Sequence, residues 1–291
     1  MTVRTSIAAA VAMATVTAAQ AQSAGAVPER VTFASQDGHT TLVGYVFMPM
    51  HKPNARMPAV VMMHGRAGPY STLAKGRYDA STLSQRHQMW GRLWSAQGFV
   101  ALMVDGFGPR GYPQGFPRGS YNDRPKELDE VTVRPLDAYG ALGWLRARAD
   151  VVADRIGLQG WSNGGSAALA TMADGSTPGS AKGFTAALAF YPACGLKGQF
   201  DDGYRPYSPV RVFHGTADEE VSYKRCQKLV EKSRAQGGDI TIKLYAGASH
   251  GFDDPGRKRQ SVKANADATA DARERAQRFF AMQLREGTPG H

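Results

Sequence analysis

Ser162 is the residue of this chain that is best placed to act as a nucleophile. It is the centre of the run G-W-S-N-G at residues 160–164. The apolar run at residues 155–159 predicts a buried strand before it, and small residues predict a helix after it. In such a setting a strained turn lifts a serine out of the backbone, and the flanking glycines let strand and helix cross closely. We therefore expect Ser162 to be catalytic.

An acid and a histidine downstream strengthen this interpretation, because G-x-S-x-G alone can mark an ordinary turn serine in a chain with 33 glycines. Asp218 closes the segment V-F-H-G-T-A-D, and His250 follows the segment L-Y-A-G-A-S. A serine hydroxyl is a poor nucleophile at neutral pH, so His250 would take its proton and Asp218 would orient the imidazole. Glu219 and Glu220 are alternative acids, because they directly follow Asp218.

A loop that follows an upstream strand can complete such a site. The apolar run at residues 58–63 predicts a buried strand, and H-G-R-A-G follows it. This loop can supply one backbone N–H group to an oxyanion hole, and Asn163, which follows the serine, can supply the second. His64 and His214 each precede a glycine at a predicted strand end. We interpret both as structural, because their positions do not fit the order serine, acid, histidine.

Six segments along the chain resemble one known family. They are P-A-V-V-M-M-H-G-R-A-G, V-D-G-F-G-P-R-G, G-W-S-N-G-G-S-A-A-L-A, F-Y-P-A-C-G, H-G-T-A-D and A-S-H-G-F-D, in this order. Together they are similar to the dienelactone hydrolase family of α/β-hydrolases and span roughly residues 40–285. Dienelactone hydrolase itself carries a cysteine at the position of the nucleophile. The serine of this chain therefore favours a broader serine esterase.

The resemblance assigns roles to five residues. Ser162, Asp218 and His250 correspond to the catalytic triad, and the backbone N–H groups of Arg66 and Asn163 correspond to the oxyanion hole. It also implies an open site without a large lid domain. Only the short stretch at residues 192–207 lies where a lid is frequently inserted in this fold.

The pattern of apolar runs predicts an α/β fold that forms a single domain over residues 22–291. Strand signals alternate with helix signals, which is typical of a mostly parallel sheet covered by helices on both faces. Two further runs predict an antiparallel hairpin at the sheet edge, at residues 31–35 and 41–48. Strands are expected at 58–63, 99–104, 156–159, 186–190, 210–213 and 240–244, and helices at 83–97, 133–148, 162–172, 223–236 and 264–284.

Two loops, at residues 66–84 and 106–125, could shape a substrate pocket. From them we take Tyr70 and Arg110 as candidate substrate contacts, with surface positions as the alternative. The formal net charge is +10. The basic residues are scattered, and the one tight run, residues 257–259, predicts a solvated loop. We therefore expect no nucleic-acid partner, although a basic pocket could attract anionic substrates.

The first 21 residues predict a secretory signal peptide that is cut after Ala21. Arg4 is followed by an apolar stretch at residues 7–16 and by the cleavage pattern A-Q-A. A membrane anchor is the alternative, but that stretch is far shorter than the roughly 20 residues that span a bilayer. We expect a soluble periplasmic or secreted protein with no membrane partner.

The chain has two cysteines, Cys194 and Cys226. In an oxidising compartment they could form a disulfide near the rim of the site, or they could be two free buried thiols. No cluster has metal-ligand spacing, and no phosphate-binding glycine pattern occurs, so we expect neither a metal nor a cofactor.

These observations together predict an exported serine hydrolase that cleaves carboxylic esters or lactones through an acyl-enzyme intermediate. Its partner would be a small-molecule ester or lactone. Two alternatives are a peptidase of the same fold and a non-catalytic binding protein on a hydrolase scaffold. The natural substrate and the oligomeric state are left open by the sequence.

Overall fold

A computed structural model describes residues 27–50, 55–174 and 183–285. The predicted signal peptide, residues 1–21, lies outside the described residues. Eight strands form one sheet: β1 (Glu29–Ala34), β2 (Thr41–Phe47), β3 (Met57–Met63), β4 (Val100–Asp105), β5 (Val151–Trp161), β6 (Ala186–Phe190), β7 (Val210–Gly215) and β8 (Ile240–Tyr245). The helices are α1 (Gln85–Ala96), α2 (Arg134–Arg146), α3 (Asn163–Met172), α4 (Tyr223–Ala235), α5 (Arg257–Gln260) and α6 (Lys263–Leu284).

The order of strands in the sheet is β1-β2-β4-β3-β5-β6-β7-β8. β1 pairs with β2, and β2 with β4, in antiparallel fashion, and every other pairing is parallel. The predicted hairpin at the sheet edge and the mostly parallel sheet are thus confirmed. Because the parallel strands end at the same edge, the loops after β3, β5, β6 and β7 meet there.

The core lies on both faces of the sheet because successive side chains of a strand point to opposite sides. In β3, Val61 and Met63 pack into the cluster formed with α2, α3 and α4, whereas Val60 and Met62 pack into the cluster formed with α1 and α6. All six residues of β4 are buried, as expected for a strand covered on both faces.

The observed elements match the predicted ones, with shifts at their ends. The largest shift is at β5, which begins five residues before the predicted position 156. The run 257–259, which we expected to be a solvated loop, instead begins the short helix α5. A helical hydrogen bond closes this turn, from the N–H of Ser261 to the carbonyl oxygen of Arg257. Within the described ranges, no helix is long and apolar enough to cross a membrane.

Candidate active site

A strained turn between β5 and α3 carries Ser162. Its backbone has φ 52° and ψ −116°, a conformation that costs a non-glycine residue roughly 1–3 kcal/mol. A Cβ atom on Gly160 would lie 2.0 Å from the carbonyl oxygen of Gly164, and one on Gly164 would lie 2.1 Å from that of Met63. The two glycines of the motif are therefore required by the close approach of helix and strands. The N–H of Ser162 donates to Phe190 and fixes the turn against β6.

The loops after β7 and β8 bring an acid and a histidine to this serine. Nε2 of His250 lies 3.0 Å from Oγ of Ser162, and Nδ1 lies 2.8 Å from Oδ2 of Asp218. The Asp218 side chain is fully buried, and its Oδ1 accepts the N–H groups of Glu220 and Val221. Burial opposes ionisation of Asp218, but these hydrogen bonds and the one to His250 outweigh it and lower its pKa. The carboxylate therefore stays charged beside the imidazole.

The two alternative acids have other partners. Glu219 accepts the backbone N–H of His250 at 3.0 Å and so supports the histidine loop rather than the ring. Oε2 of Glu220 is 3.9 Å from Nε2 of His250, on the side of the ring that faces the serine. Both oxygens of Glu220 accept from the guanidinium of Arg66 at 3.0 Å. Only Asp218 therefore occupies the position that orients the imidazole.

The other two candidate histidines bind backbone groups, as the sequence predicts for structural residues. Nδ1 of His64 lies 2.7 Å from the carbonyl of Gly65, and its Nε2 accepts from the N–H of Gly106. Nδ1 of His214 lies 3.2 Å from the carbonyl of Gly215. Burial lowers the pKa of both imidazoles, which keeps them neutral.

The loop after β3 lies directly against the strained turn. A Cβ atom on Gly65 would be 3.4 Å from Cβ of Ser162. The next residue, Arg66, and the first residue of α3, Asn163, line the same cleft as Ser162. The N–H of Asn163 belongs to the first turn of a helix, where no intrahelical acceptor exists. The turn that carries Ser162 is therefore followed by a backbone donor with no helical partner.

A buried arginine that sequence reasoning missed links these two segments. Nη1 of Arg134 donates to the carbonyl of His64 at 2.8 Å and to Oδ1 of Asn163 at 2.5 Å. The side-chain amide of Asn163 in turn donates to Glu130 at 3.0 Å. Arg134 is fully buried, and desolvation lowers its pKa to about 10, so it remains charged at neutral pH.

Arg110 and Tyr70, our candidate substrate contacts, do not reach the site. Arg110 is buried and forms ion pairs with Asp37 at 2.6 Å and Asp137 at 2.8 Å. The hydroxyl of Tyr70 donates to Oδ2 of Asp105 at 2.9 Å and is also buried. Both side chains are occupied by internal partners, and neither lines the cleft beside Ser162.

A second buried carboxylate that the sequence did not reveal lies beneath the histidine loop. Oδ2 of Asp253 accepts the indole N–H groups of Trp90 and Trp161, each at 2.8 Å. Oδ1 accepts the hydroxyl of Tyr191 at 2.5 Å and lies 3.2 Å from Nε of Arg86. One fully buried carboxylate thus joins α1, the end of β5, the end of β6 and the loop after β8.

A cleft of about 1160 Å³ opens beside Ser162. Its walls come from the loop around residues 118–124, the segment 193–204 and the stretch 219–232 that includes α4. The segment where a lid domain could be inserted therefore forms only one wall of the cleft. Cys194 in this wall is joined by a disulfide to Cys226 on α4, one of the two alternatives from the sequence. Within the described residues, no cluster could hold a metal ion.

The structure has an α/β-hydrolase fold. Its marks are the sheet order, the strained turn after β5 that carries the serine, and the loops after β7 and β8 that carry the acid and the histidine. The chain belongs to the dienelactone hydrolase family, whose model matches residues 42–284. This confirms the resemblance seen in the sequence.

Solved structures with the same fold include several members of this family and several esterases. A dienelactone hydrolase-like promiscuous phosphotriesterase from metagenomic libraries is 18% identical, with a TM-score of 0.64 over 88% of this chain and 98% of that one. Esterase 2 of Thermogutta terrifontis, phosphorylated by paraoxon, is 21% identical, with a TM-score of 0.61 over 88% and 95%. A putative dienelactone hydrolase from Klebsiella pneumoniae is 16% identical, with a TM-score of 0.64 over 87% and 99%. At these identities the likeness is one of fold.

Proposed function

We propose that this protein is an exported serine hydrolase that cleaves carboxylic esters or lactones through an acyl-enzyme intermediate. The observation that carries the proposal is the chain of contacts from Ser162 Oγ to His250 Nε2, at 3.0 Å, and from His250 Nδ1 to Asp218, at 2.8 Å. Nucleophilic catalysis by serine needs a hydroxyl, a base that accepts its proton and a carboxylate that orients the base, connected in this order.

The reaction follows from the positions of these groups. Ser162 Oγ attacks the ester carbonyl carbon while its proton passes to His250 Nε2, and the oxyanion accepts the backbone N–H groups of Arg66 and Asn163. The tetrahedral intermediate then breaks the bond to the alcohol oxygen, which takes the proton from His250. Water then attacks the carbonyl carbon of the acyl-enzyme while His250 takes its proton. The bond to Ser162 Oγ breaks, His250 returns the proton to the serine, and the acid is released. Asp218 stabilises the imidazolium in both halves.

Family membership and one neighbour support ester chemistry. The Thermogutta esterase with this fold is phosphorylated by paraoxon. An organophosphorus reagent is therefore a suitable probe of the serine proposed here.

A fluorophosphonate probe tests the nucleophile directly. We expect the wild-type protein to be labelled at Ser162 and Ser162→Ala to lose both labelling and all but residual ester hydrolysis. Ser166→Ala is the matched control, because Ser166 lines the same cleft but its hydroxyl is engaged with backbone groups at 3.3 Å and 2.9 Å. Full labelling of a folded Ser162→Ala protein would exclude this mechanism.

The open cleft favours short acyl groups. Because its walls are loops and one helix rather than a lid domain, we expect 4-nitrophenyl acetate and butyrate to be hydrolysed better than palmitate. A preference for palmitate with activation at a lipid interface would contradict this part of the proposal.

Export rests on the first 21 residues, which resemble a signal peptide. A disulfide between Cys194 and Cys226 suits an oxidising compartment. Mass spectrometry of the protein from its native host should find Gln22 at the N-terminus. A mature protein that begins at Met1 would contradict export.

A further inference from the structure

The wall of the cleft formed by α4 is lined with positive charge. Arg225, Lys228 and Lys232 all line the cleft, and all three are exposed. Their spacings of three, four and seven residues place them on one face of the helix. The backbone of Gly195 packs close to Arg225, because a Cβ atom there would be 2.9 Å from its Nη1. This face is called the α4 basic face below.

The α4 basic face has no acidic partners of its own. Among the described residues, no carboxylate lies within 4.0 Å of Arg225, Lys228 or Lys232. Nζ of Lys232 instead donates to the backbone carbonyl of Asp201 at 3.3 Å. Like charges at these helical spacings repel each other and destabilise the helix. The charges are therefore unfavourable for folding and available to a ligand.

Other groups around the cleft add to its positive electrostatic potential. Of the side chains that line it, seven are basic and four are acidic. Two other basic residues of the cleft are paired, since Arg66 binds Glu220 and Lys197 binds Asp129. The N-terminus of α4 also faces the cleft, and the side chain of its N-cap, Ser222, makes no capping hydrogen bond. A helix N-terminus favours anions.

The α4 basic face is connected to Ser162 through a short series of contacts. Ser166 donates its N–H to the carbonyl of Ser162 and accepts the N–H of Ala193, each at 2.9 Å. The next residue, Cys194, is bonded to Cys226 on α4. The serine and the α4 basic face are thus two walls of one cleft.

The lining of the cleft is partly apolar. Leu196, Phe200 and Leu229 line the cleft. A ligand bound in the cleft therefore contacts apolar side chains as well as the cations.

We propose that the substrate is an ester whose acyl or alcohol part ends in an anionic oxygen group, which the α4 basic face binds while Ser162 attacks the ester carbonyl. The proposal rests on the proposed function, because it names the substrate class of the same site. An arginine and two lysines on one helix face suit a carboxylate or a phosphate better than a neutral group.

Two matched substrate pairs test the proposal. One pair places the charge on the acyl side, with mono-4-nitrophenyl adipate against 4-nitrophenyl hexanoate. The other places it on the alcohol side, with 4-carboxyphenyl against 4-carbamoylphenyl hexanoate. In at least one pair we expect kcat/KM to be about tenfold higher for the anionic ester at low salt. This preference should fade as salt screens the charges.

Charge reversal identifies the face that produces the preference. Lys228→Glu or Arg225→Glu should lower the ratio of kcat/KM for the anionic over the neutral ester about tenfold. Lys224→Glu is the matched control, because it makes the same change of charge on an exposed residue of α4 that does not line the cleft. The ratio should stay at the wild-type value in that variant.

The outcomes separate this inference from the proposed function. If the probe labels Ser162 and neutral esters are cleaved, but neither pair shows an anionic preference, the α4 basic face does not bind substrate. The same conclusion follows if Lys224→Glu lowers the ratio as much as Lys228→Glu. If no ester is cleaved and no label is incorporated, the proposed function itself fails.

Discussion

Replacing Asp253 by asparagine should weaken the structure beneath the proposed catalytic histidine. In the wild-type protein the carboxylate accepts three hydrogen bonds, from Trp90, Trp161 and Tyr191, and pairs with Arg86 at 3.2 Å. An amide has one oxygen that accepts and one nitrogen that donates. If the oxygen stays on the two indoles, the amide nitrogen faces the guanidinium, and two donors meet.

The size of the effect follows from burial. The Asp253 side chain is fully buried, whereas that of Arg86 is 20% exposed and keeps a second partner, Asp254, at 3.3 Å. Removing one partner of a buried ion pair costs about 3–5 kcal/mol. For a domain of this size, a loss of about 1 kcal/mol lowers Tm by roughly 2–4 °C. We therefore expect Tm to fall by about 6–20 °C.

Thermal unfolding followed by circular dichroism measures this effect, with Asp254→Asn as the control. The Asp254 side chain is 44% exposed and pairs with the same arginine, so its removal should cost about 0–1 kcal/mol. At a temperature where Asp253→Asn stays folded, kcat should also fall, because Trp161 directly precedes Ser162. Equal Tm values for Asp253→Asn and the wild-type protein would refute the reasoning, as would a larger effect of Asp254→Asn.

Four further predictions follow from single contacts. Asp218→Asn should lower kcat by about 10⁴-fold because the imidazole loses its orienting carboxylate, whereas Glu219→Gln should change it little, as steady-state ester hydrolysis will show. Gly164→Ala should prevent the strained turn between β5 and α3 from forming, because the new Cβ would lie 2.1 Å from a carbonyl oxygen of β3. The soluble yield should therefore fall. Burial lowers the pKa of His87 from 6.5 to about 4. The free energy of unfolding should therefore fall by about 3 kcal/mol as the pH is lowered from 6.5 to about 4, which denaturant titrations measure. Cys226→Ser opens a disulfide between residues 32 apart and should cost about 4 kcal/mol in the same assay.

The sign of the pH effect follows from the protonation states. His87 is neutral when folded and gains a proton more readily when unfolded, so its contribution is fully present above pH 6.5 and is lost as the pH falls. His87→Leu should remove this part of the pH dependence. An unchanged slope in that variant would assign the pH dependence to other groups.

Much of the fold could be predicted from the sequence because its signals are local. Buried strands of a parallel sheet are continuous apolar runs, and β6 has the predicted bounds, residues 186–190. The position of the serine could be predicted for the same reason, since the glycines that permit the strained turn lie two residues to either side of it. Asp218 and His250 each lie in the loop that follows a strand, and the shared edge of a parallel sheet brings such loops together.

The contacts that the sequence did not reveal join residues far apart in the chain. Asp253 is 163 residues from Trp90 and 92 from Trp161, and Arg134 is 70 residues from His64. Arg110 lies in a glycine-rich loop, which predicts a pocket position, but its partner Asp37 is 73 residues away. A local pattern shows that a loop is polar, but it does not show which polar group the loop will meet.

The two parts of the site differ in how firmly the fold determines them. Ser162, the proposed nucleophile, is held by glycines whose replacement would bring atoms within about 2 Å of each other, and by a hydrogen bond from its N–H to the carbonyl of Phe190 in β6. The α4 basic face, in contrast, consists of exposed side chains that pair with no carboxylate within 4.0 Å among the described residues. Substitutions there would change the charge of the cleft at small cost in stability, because exposed positions outside the core contribute little to folding. If both proposals hold, the core of this fold fixes the chemistry, whereas the choice of substrate depends on a helix surface that can change without disturbing the proposed triad.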